Sequence, residues 1–158
     1  MRIDLHQLDT RHESLRLVSR DEESRLLASL ERDGQQTPVV VVETDSQETP
    51  YLLIDGFKRV RAARRLGINQ LECNSWKYPP ADALMMLYNL QRSRERSSLE
   101  DAYLIRTLRE EYGISLTAIA ARLGRSKISI RGQTRTLDTF LRWMISFAGQ
   151  HTGSDPDT

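Results

Sequence analysis

A chain of 158 residues that is 39% hydrophobic, with a formal net charge of +1, can hold one ordinary domain or two small ones. No apolar run approaches the roughly 20 residues needed to cross a bilayer, and the start of the chain lacks the apolar stretch of a signal peptide, so we expect a cytoplasmic protein with no membrane partner. The single cysteine, Cys73, excludes an internal disulfide and a cysteine-based zinc site within one chain, and we expect its thiol to be buried.

The first half of the chain alternates between predicted helices and strands. Ser19 and Glu22 have the spacing of a capping box, and Gly34 is a suitable helix stop. The valine run after Pro38 and the apolar run before Gly56 are typical of strands. The predicted elements are a helix at about 19–33, strands at 39–42 and 51–54, a helix at 57–66, a short strand at 71–76 and a helix at 81–91.

The polar run from Arg92 to Ser97 predicts a domain boundary. Ser97 and Glu100 then have the spacing of a second capping box, and Gly113 can end the helix that follows. The three expected regions are an α/β domain at 1–92, an all-helical domain at 97–147 and a disordered tail at 148–158. The predicted fold class is therefore α+β.

Residues 115–137 have the pattern of a helix-turn-helix. Ser115 can cap a short helix, Gly124 can make the turn and Ser126 can cap a second helix. In this motif the second helix enters the major groove of duplex DNA. The candidate DNA-binding residues are Arg122, Arg125, Ser126, Lys127, Ser129, Arg131, Gln133, Thr134 and Arg135.

The charge pattern supports this interpretation, because residues 112–137 contain five bases and no acid. The acids Asp4, Asp9, Glu13, Asp21, Glu22, Glu23, Glu31 and Asp33 all lie in the first 33 residues. A polyanion could then dock on the second region without meeting the first. A plain helical hairpin with a solvated basic face remains the alternative.

The second helix of this motif has an irregular pattern. We expect Ile128 and Ile130 to pack beneath it. Gly132 costs a helix interior roughly 1 kcal/mol relative to alanine, so the helix is expected to bend or end early.

Four segments resemble, in the same order, those of the ParB family of partition proteins and their relatives. They are residues 34–38 ahead of the valine strand, residues 54–63, residues 89–92 with 97–102, and the helix-turn-helix. The second is similar to the family's Gly-Glu-Arg-Arg-x-Arg-Ala-Ala box and the third to its Glu-Asn-x-Gln-Arg box. The resemblance covers about residues 3–137 and implies an N-terminal domain of the ParB/sulfiredoxin fold that binds CTP together with Mg²⁺.

A nucleotide site of this kind is compatible with the residues themselves. Gly56 precedes a helix whose first turns carry cations, so backbone N–H groups and positive side chains can converge on phosphates. The resemblance places the loop before the first strand near base and ribose, and Asn89 with Arg92 near phosphates or a metal ion. The candidate nucleotide-binding residues are Gly34, Gln35, Thr37, Gly56, Phe57, Lys58, Arg59, Arg61, Asn89 and Arg92, with Asn89 also the candidate metal ligand. A solvated basic helix face is the alternative.

Two departures from the family pattern bear on catalysis. Phe57 stands where the first box has glutamate, and Tyr88 stands where an acid precedes the second box. A Mg²⁺ ion on a triphosphate usually takes one or two carboxylates, so CTP hydrolysis is less expected than CTP binding, although Asp55 lies next to the box. Sulfiredoxin chemistry needs a cysteine where this chain has Phe57, so that activity is excluded.

The resulting hypothesis is a DNA-binding protein of partition type, associated with the nucleoid or a plasmid, that engages double-stranded DNA as a homodimer under the control of a nucleotide. Two alternatives stay open: a metal-dependent nuclease or CTP hydrolase, and a degenerate interaction module without a nucleotide. The histidines His6, His12 and His151 are expected at the surface and not as metal ligands.

Overall fold

The computed structural model describes residues 1–17, 19–91 and 97–150, and for Lys127, Thr134, Thr136, Phe140 and residues 143–150 it describes the backbone alone. The chain divides into two compact units, Met1–Glu95 and Arg96–Thr158. Most of the predicted boundary, at 92–97, lies outside the described residues.

The N-terminal unit is a curled mixed sheet with three helices. Its elements are β1 (Arg2–Asp4), β2 (Leu8–Asp9), α1 (Arg20–Asp33), β3 (Val39–Glu43), β4 (Tyr51–Asp55), α2 (Phe57–Arg65), β5 (Gln70–Trp76) and α3 (Pro80–Leu90), with 3-10 turns at Leu5–Gln7 and Glu13–Leu15. The six elements predicted after residue 18 are confirmed, and each end lies within one residue of its expected position. Ser19 caps α1 by accepting a hydrogen bond from the Glu22 N–H at 3.2 Å.

The sheet has the strand order β1-β5-β3-β4-β2. The valine-rich β3 lies at its centre, antiparallel to β4 and parallel to β5, while β1 and β2 form the edges. Both edge strands were missed by the sequence prediction, because strands of three and two residues are too short to show a period-2 pattern.

The core of this unit lies between the sheet and the helices α1 and α2. Its centre is formed by Val39, Val41, Leu53, Val60 and Leu71, none more than 2% exposed. Cys73 joins this core, as predicted, and burial raises the pKa of its thiol.

The start of the chain is more buried than expected. His12, predicted at the surface, is 1% exposed, because the 3-10 turn that follows it folds Leu15 into the interior and draws the imidazole in with it. Arg16 is also buried. His6 is exposed, as predicted, and His151 lies outside the described residues.

The described part of the second unit consists of α4 (Ser98–Glu110), α5 (Leu116–Leu123) and α6 (Lys127–Gln150). The capping box at the start of α4 is confirmed, with both reciprocal hydrogen bonds between Ser97 and Glu100. Ser115 caps α5, Gly124 adopts φ 64°, and Ser126 accepts from the third residue of α6. The buried side chains between these helices include Ile105, Leu108, Ile119, Leu123, Ile130 and Leu137.

Two expectations for α6 were wrong, namely that the helix ends early at Gly132 and that Ile128 packs beneath it. The helix neither ends nor breaks at Gly132 but continues to Gln150. Ile130 and Leu137, seven residues apart on one face, are both fully buried, and this packing outweighs the roughly 1 kcal/mol cost of the glycine. Ile128 does not pack beneath the helix, since it is 85% exposed.

The tail predicted from residue 148 begins within α6, and residues 151–158 lie outside the described residues. Over the described ranges, no helix combines the length and hydropathy that a membrane-spanning helix requires.

Candidate functional site

The junction of β4 and α2 requires a glycine. Gly56 has φ 100° and ψ 20°, and a Cβ at this position would lie 2.5 Å from Cγ1 of Val39 on β3. The glycine thus lets the N-terminus of α2 lie directly against the central strand. No described side chain caps this helix, so the N–H groups of its first turn have neither an intrahelical acceptor nor a cap.

A cavity of about 220 Å³ opens at this uncapped helix end. Its lining residues are Arg16, Leu26, Asp55, Gly56, Phe57, Lys58 and Arg59. Three of these side chains are cationic and one is a carboxylate, so the cavity has positive character, which the N-terminal end of the α2 dipole strengthens. The cavity is therefore suited to bind an anion.

Arg16 links three segments of the unit behind this cavity. Its guanidinium lies 3.8 Å from Oδ1 of Asp55 and donates a hydrogen bond to Oε1 of Gln91. The Gln91 amide in turn donates to Oδ2 of Asp55 at 3.3 Å. The sequence analysis missed Arg16, because its only signal is an arginine flanked by leucines in a segment without periodicity.

Arg59 carries its charge in partly desolvated surroundings. Its Nη1 donates to the carbonyl of Pro38 at 3.4 Å. Burial lowers the pKa of this guanidinium, and the nearby Asp55 offsets only part of the effect. An anion in the cavity would therefore be attracted by a cation that is less solvated than a surface arginine.

The other bases of α2 contact acids from the start of the chain. Lys58 Nζ lies 2.8 Å from Oε2 of Glu22 and lowers the pKa of that carboxyl. Arg61 Nη2 lies 2.6 Å from Oε1 of Glu13. Arg65 makes a similar pair with Glu23, at 3.2 Å. The acids of the first 33 residues are thus not a separate acidic region, since several of them neutralise the basic face of α2.

In the second unit, two of the candidate DNA-binding residues, Arg125 and Gln133, are half-buried and contact α4. Arg125 Nη1 donates to Oδ2 of Asp101 at 2.8 Å, and its Nη2 donates to Oγ of Ser129 at 3.0 Å. Gln133 also reaches Asp101, at 3.4 Å, while its Oε1 is buried without a hydrogen-bond partner among the described residues. These contacts hold the start of α6 against α4.

The remaining candidates of this unit lie at the surface or outside the described part of the structure. The exposed ones are Arg122, Ser126, Arg131 and Arg135. The side chains of Lys127 and Thr134 lie outside the described part of the structure.

Comparison with known proteins identifies the N-terminal unit. The model of the ParB N-terminal domain family matches residues 1–87. The chain belongs to this family. No curated protein sequence matches the chain significantly.

Several solved structures are similar to this ParB chain. The C-terminally truncated chromosome-partitioning protein ParB from Caulobacter crescentus, complexed with CTP-γ-S, is 20% identical, with 92% of this chain and 84% of that chain covered and a TM-score of 0.50. A Pnob8-like ParB-N domain is 13% identical, with 96% and 73% covered and a TM-score of 0.54. The same Caulobacter protein complexed to its centromeric parS site gives 21% identity, 92% and 78% coverage and a TM-score of 0.49.

The ParB domain brings only part of the predicted nucleotide set together. Gly56, Phe57, Lys58 and Arg59 meet at the α2 cavity, although Phe57 is 3% exposed and belongs mainly to the core. Gly34 and Gln35 line a second cavity, of about 350 Å³. Thr37 and Asn89 are exposed, Arg61 pairs with Glu13, and Arg92 lies outside the described residues.

Gln35 has a structural role in the ParB domain. Its amide donates to the Glu72 carbonyl at 2.8 Å and to the Thr37 carbonyl at 3.0 Å, and it accepts from the Glu72 N–H at 2.7 Å. The side chain thereby ties the loop to β5. Among the described residues, no group of three or more His, Cys, Asp or Glu side chains is arranged to hold a metal ion.

Proposed function

We propose that this chain is a DNA-binding protein of partition type whose engagement with double-stranded DNA is modulated by CTP bound at the N-terminus of α2. The observation that carries the proposal is the uncapped helix end at a cavity lined by Arg16, Lys58 and Arg59. It is supported by membership of the ParB N-terminal domain family and by a shared fold with a protein crystallised with CTP-γ-S.

The triphosphate would take the place of a helix cap. The N–H groups of the first turn of α2 donate to phosphate oxygens, and Arg59 and Arg16, which both line the cavity, supply charge. The ammonium group of Lys58 leaves Glu22 and pairs with a phosphate. A Mg²⁺ ion carried by the nucleotide would be bound by Asn89, with Asp55 as the carboxylate nearest the cavity. The base and ribose lie along the loop from Gly34 to Thr37 and contact its backbone, because the Gln35 amide is engaged by β5.

The DNA-binding part of the proposal rests on α5, the turn at Gly124 and α6 acting as a helix-turn-helix. The start of α6 enters the major groove, and the exposed Arg122, Arg131 and Arg135 contact phosphates. Arg125 and Gln133 position α6 through Asp101. A single motif of this kind binds weakly, so the chain acts as a homodimer on two half-sites.

Calorimetric titration of the chain with each of the four ribonucleoside triphosphates, with and without Mg²⁺, tests the nucleotide site. We expect selective binding of CTP, reduced at least about tenfold by Arg59→Ala because a phosphate then loses a partly desolvated cation. Arg64→Ala is the matched control, since it removes an exposed arginine from the same helix and lies outside the cavity. Circular dichroism establishes that both variants are folded. Absence of binding by any of the four nucleotides would contradict the nucleotide part of the proposal.

Fluorescence anisotropy with a labelled duplex tests the DNA part. Lys127→Ala combined with Arg131→Ala is expected to weaken binding and to flatten its salt dependence, while CTP binding persists. Addition of CTP to the wild-type chain should change the DNA affinity or dissociation rate. If the double variant binds DNA with unchanged affinity and unchanged salt dependence, the helix-turn-helix assignment is contradicted.

One observation favours a second candidate, a ParB-fold interaction module without a nucleotide. Lys58 and Arg61 are already neutralised by Glu22 and Glu13, and Phe57 occupies core space. In that case no nucleoside triphosphate would raise the melting temperature of the chain.

A further inference from the structure

The face of α6 that points away from the core carries an unusually exposed apolar side chain. Ile128 is 85% exposed, the highest value among the large hydrophobic residues that the structure describes. Ile130, two positions on, is fully buried, and so is Leu137. Two residues correspond to about 200° around an α-helix, so Ile128 lies on the side opposite the packed stripe. Packing within this unit therefore does not explain an isoleucine at this position.

Gly132 lies on the same face as Ile128, one turn further along the helix. It is not among the residues with positive φ, and a Cβ added to it would meet no atom within 4 Å. Neither backbone conformation nor packing requires a glycine here, although glycine weakens a helix interior. A glycine at such a position lets an external group approach the helix backbone closely. Ile128 and the bare helix backbone at Gly132 lie next to each other on this face, and we call this pair of residues the α6 notch.

The surroundings of the α6 notch are cationic. Arg131 and Arg135 are exposed three and seven positions after Ile128, on the same side of the helix, and Arg122 is exposed on α5. No acid occurs between residues 112 and 137. A surface of one isoleucine and one glycine is far smaller than the roughly 800 Å² per partner of a stable protein interface. The charge and the size both fit a small apolar group carried by a polyanion.

We propose that the α6 notch reads the 5-methyl group of thymine in the major groove of DNA. This inference rests on the proposed function and adds a specificity to it. The thymine methyl group is the apolar feature of the major-groove edge of base pairs, and aliphatic side chains recognise it by contact. Ile128 covers the methyl group, the absent side chain at Gly132 lets the base edge approach, and Arg131 and Arg135 hold the flanking phosphates.

The test compares an alternating A·T duplex with an alternating A·U deoxyribose duplex of the same length, which differ only in the thymine methyl groups. We expect wild-type binding, measured by anisotropy, to be about fourfold tighter on the A·T duplex for each methyl group buried. Ile128→Ala should abolish this preference and leave the affinity for the A·U duplex unchanged. Equal wild-type affinities, or a preference that survives Ile128→Ala, would overturn the proposal.

Gly132→Ala separates binding from folding. Alanine should raise the urea midpoint of the C-terminal unit, because it is the better helix former and meets no clash, yet it should weaken binding to the A·T duplex. A variant that is more stable and binds both duplexes like the wild type would overturn the role of the notch.

Arg131→Ala is the matched control on the same face. It should weaken binding to both duplexes equally and lower the salt slope by about one. Absence of salt-sensitive binding to either duplex would refute the DNA-binding function itself, whereas salt-sensitive binding without a methyl preference refutes only the notch. Loss of self-association in Ile128→Ala, with the methyl preference intact, would assign the notch to a contact between two copies and overturn the proposal.

Discussion

Gly56 and Gly67 both have positive φ, at 100° and 68°, but only one of them faces a neighbour. A Cβ at Gly56 would lie 2.5 Å from Val39 Cγ1, whereas a Cβ at Gly67 would meet nothing within 4 Å. Gly67→Ala should therefore cost only the left-handed strain, about 1 kcal/mol. Gly56→Ala should cost about 3 kcal/mol, because it adds a clash with a fully buried strand residue.

Urea unfolding of the two alanine variants in a Trp143→Phe background, monitored through Trp76 on β5, measures this difference at constant m-value. Equal losses of stability would mean that Val39 moves aside without cost and that the close approach of α2 to β3 does not depend on the glycine.

The residues that line the α2 cavity could be predicted from the sequence only in part. Gly56, Lys58 and Arg59 were predicted together because they are adjacent in one motif, and they do meet at one cavity. Arg16 and Gln91 join the same cluster only through the tertiary fold, so no local pattern could have indicated them.

At the scale of elements, the turn that precedes α6 is attached to α4 through a largely buried ion pair. Asp101 and Arg125 are 12% and 25% exposed at their side chains, and Gln133 shares the same carboxylate oxygen. Asp101→Ala should destabilise the C-terminal unit by about 2 kcal/mol, because it leaves the partly buried guanidinium of Arg125 without its carboxylate. This loss is less than the ~3–5 kcal/mol expected when a fully buried pair is broken. Thermal unfolding followed by circular dichroism measures the loss.

The same helix supplies the control for that prediction. Glu110 pairs with Arg106 at 2.8 Å, but the side chains are 60% and 38% exposed, so Glu110→Ala should change the stability by less than about 0.5 kcal/mol. Adding Arg125→Ala to Asp101→Ala should restore part of the lost stability, since no charge is then left unpaired. Additive losses in the double variant would exclude the pair as the cause.

The elements that could be predicted are those with local signals. Caps and stops at Ser19, Gly34, Ser97 and Ser115 gave helix ends within one residue. The edge strands β1 and β2 were missed because they gain their conformation from pairing with β5 and β4, and not from their own pattern. The continuation of α6 past Gly132 was missed because tertiary packing overrides an unfavourable propensity.

At the scale of the whole molecule, the carboxyls with a lowered pKa are unevenly distributed between the described parts of the two units. Among the described residues, the carboxyls whose pKa is lowered by a basic partner are Asp9, Glu22, Asp33 and Glu43, and all lie in the N-terminal unit. In the described part of the other unit, the resolved shift is a raised pKa of Arg106, far outside the acid range. The N-terminal unit should therefore lose stability in acid.

The lowered pKa values determine how the stability of the N-terminal unit depends on pH. A carboxyl with a lowered pKa stabilises the fold above its ordinary pKa, which is 3.8 for aspartate and 4.5 for glutamate, and this contribution is lost as the pH falls through the lowered value. In a Trp143→Phe variant, Trp76 alone reports on the N-terminal unit. The melting temperature that it reports should be constant from pH 7 to about pH 5 and fall below about pH 4.

Asp9 provides the decisive variant, since its carboxylate is only 12% exposed and the other three are more solvated and contribute less. Its pKa is lowered chiefly by the side-chain hydrogen bond from Arg11. Asp9→Asn should lower the melting temperature at pH 7 and flatten its decline in acid, so that the two curves converge at low pH. Parallel curves would mean that Asp9 contributes by packing alone and that its titration is not linked to folding.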